Sequence, residues 1–324
     1  MKNKIEWLSI LQGWSMLLVV VGHVTLTNVF QDPDYPIVSA VERIIYSFHM
    51  PLFIFISGWL FYYTCLKKNK PYKEVMKAKF KRLGIPFLAF TVTTMGLKLL
   101  FAPYMKRIVD VHEIMNTFLF FSSNPLGEMW FIIVLLVLMS LYPIYKNMVQ
   151  KSNSACILIV VSLIISLFPP PCDFFQLRRV AYMLPFFVMG ILFCKYGWAE
   201  RLFTFKFLFI FTCIFFCCNV FQFLPEKMNF IMPWAGIFFS LSLCGNSVRY
   251  VPGLFESFRD YTFQIFLMGI FFQMAIRFIF QRFPSDTLYG IFYLSSIVCG
   301  LYIPVIISRI VMRGPKILQN CIGL

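Results

Sequence analysis

Two histidines stand inside strongly apolar sequence, His23 in VVVGHVTLT and His49 in SFHMPLFIFISGWL. An imidazole in such surroundings is costly, and it stays either for an interhelical hydrogen bond or for chemistry. The chemistry open to it is acid–base work: a neutral ring takes the proton from a hydroxyl as that oxygen attacks an acyl carbon, or carries the acyl group itself. His49 is followed by Pro51, Ser57 and Gly58. A lipid-facing helix gains nothing from an imidazole or from a proline that deletes a backbone hydrogen bond. The stretch from Phe48 to Leu60 is therefore expected to line an interior cavity, with His49 facing it.

Further polar groups fall at a similar depth. Glu42 and Arg43 open the same apolar segment, Lys98 and Arg277 lie near the ends of theirs, Glu128 and Trp130 open another, and Arg178 and Arg179 open a fourth. Such convergence suits a site for a polar molecule, with Glu42, Arg43, Trp130 and Arg179 as its contacts. Each also has a plainer reading: arginines at helix ends anchor to the interface, Trp130 fits an aromatic belt and Lys98 snorkels. A second feature is the segment KKNKPYKEVMKAKFKR from Lys67 to Arg82, with eight basic residues against one acidic. It suits either a phosphorylated molecule or anionic lipid headgroups. No metal-ligand spacing, phosphate-cradling glycine loop or GxSxG elbow occurs.

The elements that hold these residues follow from composition. The 324 residues are 60% hydrophobic, 19% aromatic and 13% charged, which leaves no polar face for water. The expected class is an all-α polytopic membrane bundle forming one domain over 1–324. Ten apolar segments are near the length of a spanning helix, roughly 7–29, 42–64, 81–102, 129–146, 155–170, 179–195, 203–223, 229–245, 260–281 and 288–309. The first is expected to be retained rather than cleaved. With a cytoplasmic N-terminus, twenty basic residues fall in inside loops and six in outside loops. That bias predicts both termini inside and makes the net charge of +15 a matter of orientation rather than of nucleic-acid binding. On this count His23 and His49 each lie about 10 Å below the outer ends of their helices. Most of the 10 cysteines sit in apolar runs and read as small buried hydrophobes rather than a disulfide frame. The loops Gln31 to Pro36 and Pro103 to Glu128 are expected outside.

Taken together, Ile5 to His23, Ser47 to Phe61, Lys77 to Leu88, Met129 to Leu136, Arg178 to Gly190 and Tyr261 to Gly269 resemble the integral-membrane acyltransferase family called type 3, which includes bacterial polysaccharide O-acetyltransferases. The resemblance implies ten helices with both ends inside. It also implies transfer of an acyl group, usually acetyl from cytoplasmic acetyl-CoA, to a hydroxyl of a sugar in a surface glycan or its lipid-linked precursor. The small single-domain form suggests a bacterial inner membrane. On this analogy His23 matches the motif histidine and Lys79, Lys81 and Arg82 match the basic motif opening the third helix. The chemistry then expected makes His23 the base, with His49 orienting it, relaying its proton or carrying the acetyl group, and the basic cluster holding the CoA phosphates. The chain departs from the family where Ser9 and Gln12 stand in place of an acidic and a basic residue, and where Met268 stands near a common histidine. The alternative from another class is a transporter or flippase for a polar glycan lipid.

Overall fold

In the computed structural model, residues 5–24, 36–100, 129–150, 152–171, 174–221, 230–283 and 286–324 are described. Residues 31–35 of the first predicted outside loop, the whole second loop with His112 and Glu128, and the side chain of Lys98 lie outside the described residues, while Pro36 opens a helix. Among the described residues every regular element is helical: α1 (Glu6–Gly22), α2 (Pro36–Tyr46), α3 (His49–Phe61), α4 (Tyr72–Lys79), α5 (Ile85–Leu100), α6 (Trp130–Ser140), α7 (Tyr142–Gln150), α8 (Ser152–Leu167), α9 (Leu177–Tyr196), α10 (Phe205–Phe221), α11 (Ile231–Ser247), α12 (Thr262–Arg282), α13 (Asp286–Val311) and α14 (Lys316–Cys321). All ten predicted apolar segments carry helix. By length and hydropathy, four stretches among the described residues can cross a membrane, Ile37–Leu66, Leu177–Tyr196, Arg259–Arg282 and Leu288–Val311. The pair α6 and α7, bent by 51°, makes a fifth if read as one span. Three further apolar helices are shorter, and the chain is a multi-pass membrane protein.

The second apolar segment differs from expectation. It is two helices rather than one, broken at Ser47 and Phe48. Pro51 explains the break: it has no N–H for the carbonyl of Ser47, four residues back, and its ring crowds that carbonyl. Pro51 then falls in the first turn of α3, where its missing N–H deletes no helical bond.

The chain divides into two compact units, residues 1–53 with 197–314, and residues 54–196 with 315–324. In the first, α1 packs against α2, α11, α12 and α13. Met16, Val19 and Val20 of α1 form a core with Phe258, Ile265, Leu301 and Val305. The Trp14 indole N–H donates to Ser240 Oγ at 3.2 Å, which ties α1 to α11. Arg259 is buried and bonded to Glu6 at 2.7 Å and to the carbonyls of Pro252 and Leu254. A cation taken out of water needs such partners.

In the second unit, α9 packs against α6 and α8. α3 crosses α9 backbone to backbone: a Cβ on Gly58 would strike the carbonyl of Phe187, and one on Gly190 the carbonyl of Phe55. Small residues permit this close approach between apolar helices. Phe61, Tyr145 and Phe187 pack their rings together beside it. The described cysteines are free, but Cys156, Cys213 and Cys217 are exposed on apolar helices rather than buried, while Cys244 is buried as expected and Cys65 is buried as well.

Candidate functional site

His23 is the residue at which α1 stops. Its ring adds a second bond to a carbonyl of the last turn: Nδ1 lies 2.7 Å from the carbonyl oxygen of Val19, which also accepts the His23 backbone N–H at 3.1 Å. A carbonyl only accepts, so Nδ1 carries the hydrogen and the neutral ring presents Nε2 as its basic nitrogen. His49 repeats the device across the α2–α3 break. Its Nδ1 donates to the carbonyl of Ile45 at 2.9 Å, an oxygen that an unbroken helix would give to the backbone N–H of His49. Both imidazoles are thus held in one tautomer by helix-terminal carbonyls.

The rings come together. Their centroids are 6.3 Å apart and nearly perpendicular, with Tyr46 at 5.7 Å from His23 and 5.0 Å from His49. His49 is 2% exposed and Tyr46 52%, with His23 half-buried, so Tyr46 is the most exposed member of the cluster. Gly22 lets α2 this close, since a Cβ there would sit 3.1 Å from Ile45 and 3.7 Å from Tyr46. Tyr46 is missing from the residues expected on sequence alone. Its place three residues before His49, and one turn after Glu42, was the available signal. Glu42 is half-buried and Arg43 exposed on α2, one turn or less above Tyr46.

In the second unit, Trp130 opens α6 and Arg179 lies in the first turn of α9, with the guanidinium carbon 4.9 Å from the Trp130 ring centroid. This cation–π pair joins two residues expected to contact substrate. The basic segment divides by exposure. Lys81 and Arg82 are exposed, whereas Lys79 is half-buried with its ammonium 5.8 Å from the Phe61 ring. Burial pulls the Lys79 ammonium below the usual lysine range; Cys65 opposes this, and the charges of Arg82 and Lys70 add to it. Asn69, at φ 48°, and Pro71 turn the chain into α4, and the Tyr142 hydroxyl holds the Lys70 carbonyl at 2.6 Å. Five-residue π-helical turns, Tyr62–Leu66 and Phe80–Gly84, flank the basic segment; such turns recur at functional sites.

The fold is that of a multi-pass helical membrane protein whose conspicuous chemistry is a pair of oriented imidazoles, a class suited to proton abstraction from a hydroxyl. The profile of the family described as "Acyltransferase domain" matches residues 5–309, and the chain belongs to that acyltransferase type 3 family. Among curated proteins it is similar to the nodulation protein NolL of Mesorhizobium japonicum, at 26% identity over 61% of this chain and 51% of that protein. It is also similar to NolL of Sinorhizobium fredii, at 28% identity over 57% and 47%. A third relative is the glucans biosynthesis protein C of Escherichia coli, at 24% identity over 61% of this chain and 60% of that protein. The chain spans about half the length of the NolL proteins it matches. No solved structure matches it.

Proposed function

We propose that this chain is a membrane-embedded O-acetyltransferase that moves an acetyl group from cytoplasmic acetyl-CoA to a hydroxyl of a cell-surface or lipid-linked glycan. The observation that carries the reading is the pinned tautomer of the two neighbouring rings, His23 and His49, each donating Nδ1–H to a helix-terminal carbonyl. In the reaction, Nε2 of His23 takes the proton of the glycan hydroxyl while its oxygen bonds to the thioester carbon. The tetrahedral adduct expels the CoA sulfur, and the proton passes from the imidazolium to that sulfur, giving ester and free CoA thiol. His49 orients His23, relays its proton or holds the acetyl group between two half-reactions. Lys79, Lys81 and Arg82 bind the phosphates of the donor, and Glu42, Arg43, Trp130 and Arg179 contact the acceptor. The name of one relative, the glucans biosynthesis protein C, supports a glycan acceptor. Both units form one acyltransferase domain in a bacterial inner membrane, with the termini in the cytoplasm.

The test compares the mass of surface glycans from cells carrying the wild-type protein, His23→Ala or His49→Ala. Acetyl groups present only with the wild-type protein are the expected result. Equal acetylation with both variants would end the assignment of the rings. Glycan moved across liposomes with acetyl-CoA untouched would instead mark a transporter.

A further inference from the structure

Gln273 lies in the middle of the apolar helix α12, where a primary amide is tolerated only if hydrogen-bonded. It is 2% exposed, and its Nε2–H donates to the backbone carbonyl of Val20 at 2.7 Å. That oxygen stands three residues before His23, in the last turn of α1. Because α1 ends at Gly22, its final carbonyls need donors from elsewhere. His23 provides two: its backbone N–H is shared between Val19 at 3.1 Å and Val20 at 3.3 Å, and its ring Nδ1–H goes to Val19 at 2.7 Å. The N–H of Val24 reaches Val21 at 3.3 Å. Among the described residues, the one short bond to Val20 comes from Gln273, on a different helix.

The neighbouring helix is built to allow it. A Cβ at Gly300 of α13 would come within 3.0 Å of Cγ and 3.1 Å of Cδ of Gln273, and within 3.1 Å of Val20 Cγ1. Gly269 of α12 in turn lies against the Gly300 carbonyl. Three helices therefore close on a single amide that stands beside the seat of the imidazole.

We propose that Gln273 is a positioning residue for the His23 ring, an inference that rests on His23 being the base of the reaction above. By occupying the Val20 carbonyl, Gln273 leaves the Val19 carbonyl as the seat for Nδ1–H and so fixes the direction of Nε2. Without the amide, Val20 retains, among the described residues, its long share of the His23 N–H. It draws that N–H away from Val19, the last turn tightens, and the Cα–Cβ bond that aims the ring rotates. Gln273 touches neither substrate nor donor; it acts through α1.

The experiment uses the full chain in nanodiscs with acetyl-CoA and acceptor glycan, comparing wild type with Gln273→Met, Gln273→Glu and Gly300→Ala. Turnover is measured across pH, and the ring nitrogens of His23 are followed by ¹⁵N NMR. Gln273→Met, which keeps length and loses the donor, is expected to lower kcat about a hundredfold, the scale set by a 1 Å misplacement of a reacting group, with KM for both substrates unchanged. The His23 spectrum of that variant should change from one tautomer to a mixture. Gln273→Glu should recover turnover at the acid end, where a protonated carboxyl still donates, and lose it as pH rises. Gly300→Ala, which crowds the amide, should resemble Gln273→Met. Wild-type kcat and an unchanged His23 spectrum in Gln273→Met would overturn the proposal. So would a variant with less folded protein but normal turnover per folded molecule, since that marks a merely structural bond. If instead wild type transfers no acetyl group, or His23→Ala transfers it normally, the functional reading fails, and the tautomer spectrum still reports on Gln273 independently.

Discussion

At the scale of single residues, the chemistry depends on which nitrogen of an imidazole is bare, and main-chain carbonyls decide it. Val19 and Ile45 fix the tautomers of His23 and His49. Loss of the base should cost about 10² to 10⁴ in rate, so His23→Ala should reduce acetyl incorporation to the limit of detection by glycan mass. Lys79 offers a separate test. Its ammonium titrates below the usual lysine range chiefly because it is buried, and only the charged form attracts a phosphate. Affinity for CoA should therefore be full below that lowered pKa and fall as pH rises through it, earlier than an ordinary lysine would allow. Calorimetric titration of CoA against pH should show this fall in wild type and a flatter profile in Lys79→Met. His23, His49 and the basic segment stood out in the sequence because charge and imidazole are rare in apolar runs. Tyr46 did not, because a tyrosine among aromatic residues carries no such contrast.

At the scale of elements, the break between α2 and α3 makes the His49 site. With an N–H at residue 51, the helix would run on and the His49 backbone would claim the Ile45 carbonyl that its ring now holds. Pro51→Ala should thus keep or raise stability while lowering acetyl transfer, a split that thermal unfolding in detergent and a transfer assay would expose together. The crossing of α3 and α9 makes the opposite demand. Gly58→Ala should destabilise the protein by about 1–3 kcal/mol, as overpacking of a close contact does, read as a lower unfolding midpoint in detergent. A fall in activity at unchanged stability would contradict the crossing. Both glycines were visible in the sequence, but nothing local showed that each meets a carbonyl of the other helix.

At the scale of the whole molecule, the distribution of basic residues predicts orientation. In a cysteine-free background, single cysteines at Lys68 and Arg313 should react only with reagents on the cytoplasmic side, and one at Arg178 only from outside. Labelling of Arg178 and Lys68 from one side would break the ten-segment count. Helical content, membrane residence and the positions of the apolar segments were determined by the sequence alone, because the cost of an unpaired backbone in hydrocarbon leaves a long apolar run few choices but helix. A common depth for His23 and His49 was the expectation from a nearly constant rise per residue, and their rings stand 6.3 Å apart. Only the tertiary structure decided that Tyr46 packs against both rings, that Gln273 reaches the last turn of α1, that Trp130 stacks on Arg179 and that Arg259 is buried against Glu6. These are meetings of residues far apart in the chain, and they depend on which faces of the helices pack together, a choice that steric fit at positions such as Gly22, Gly58 and Gly300 makes only once the helices have assembled.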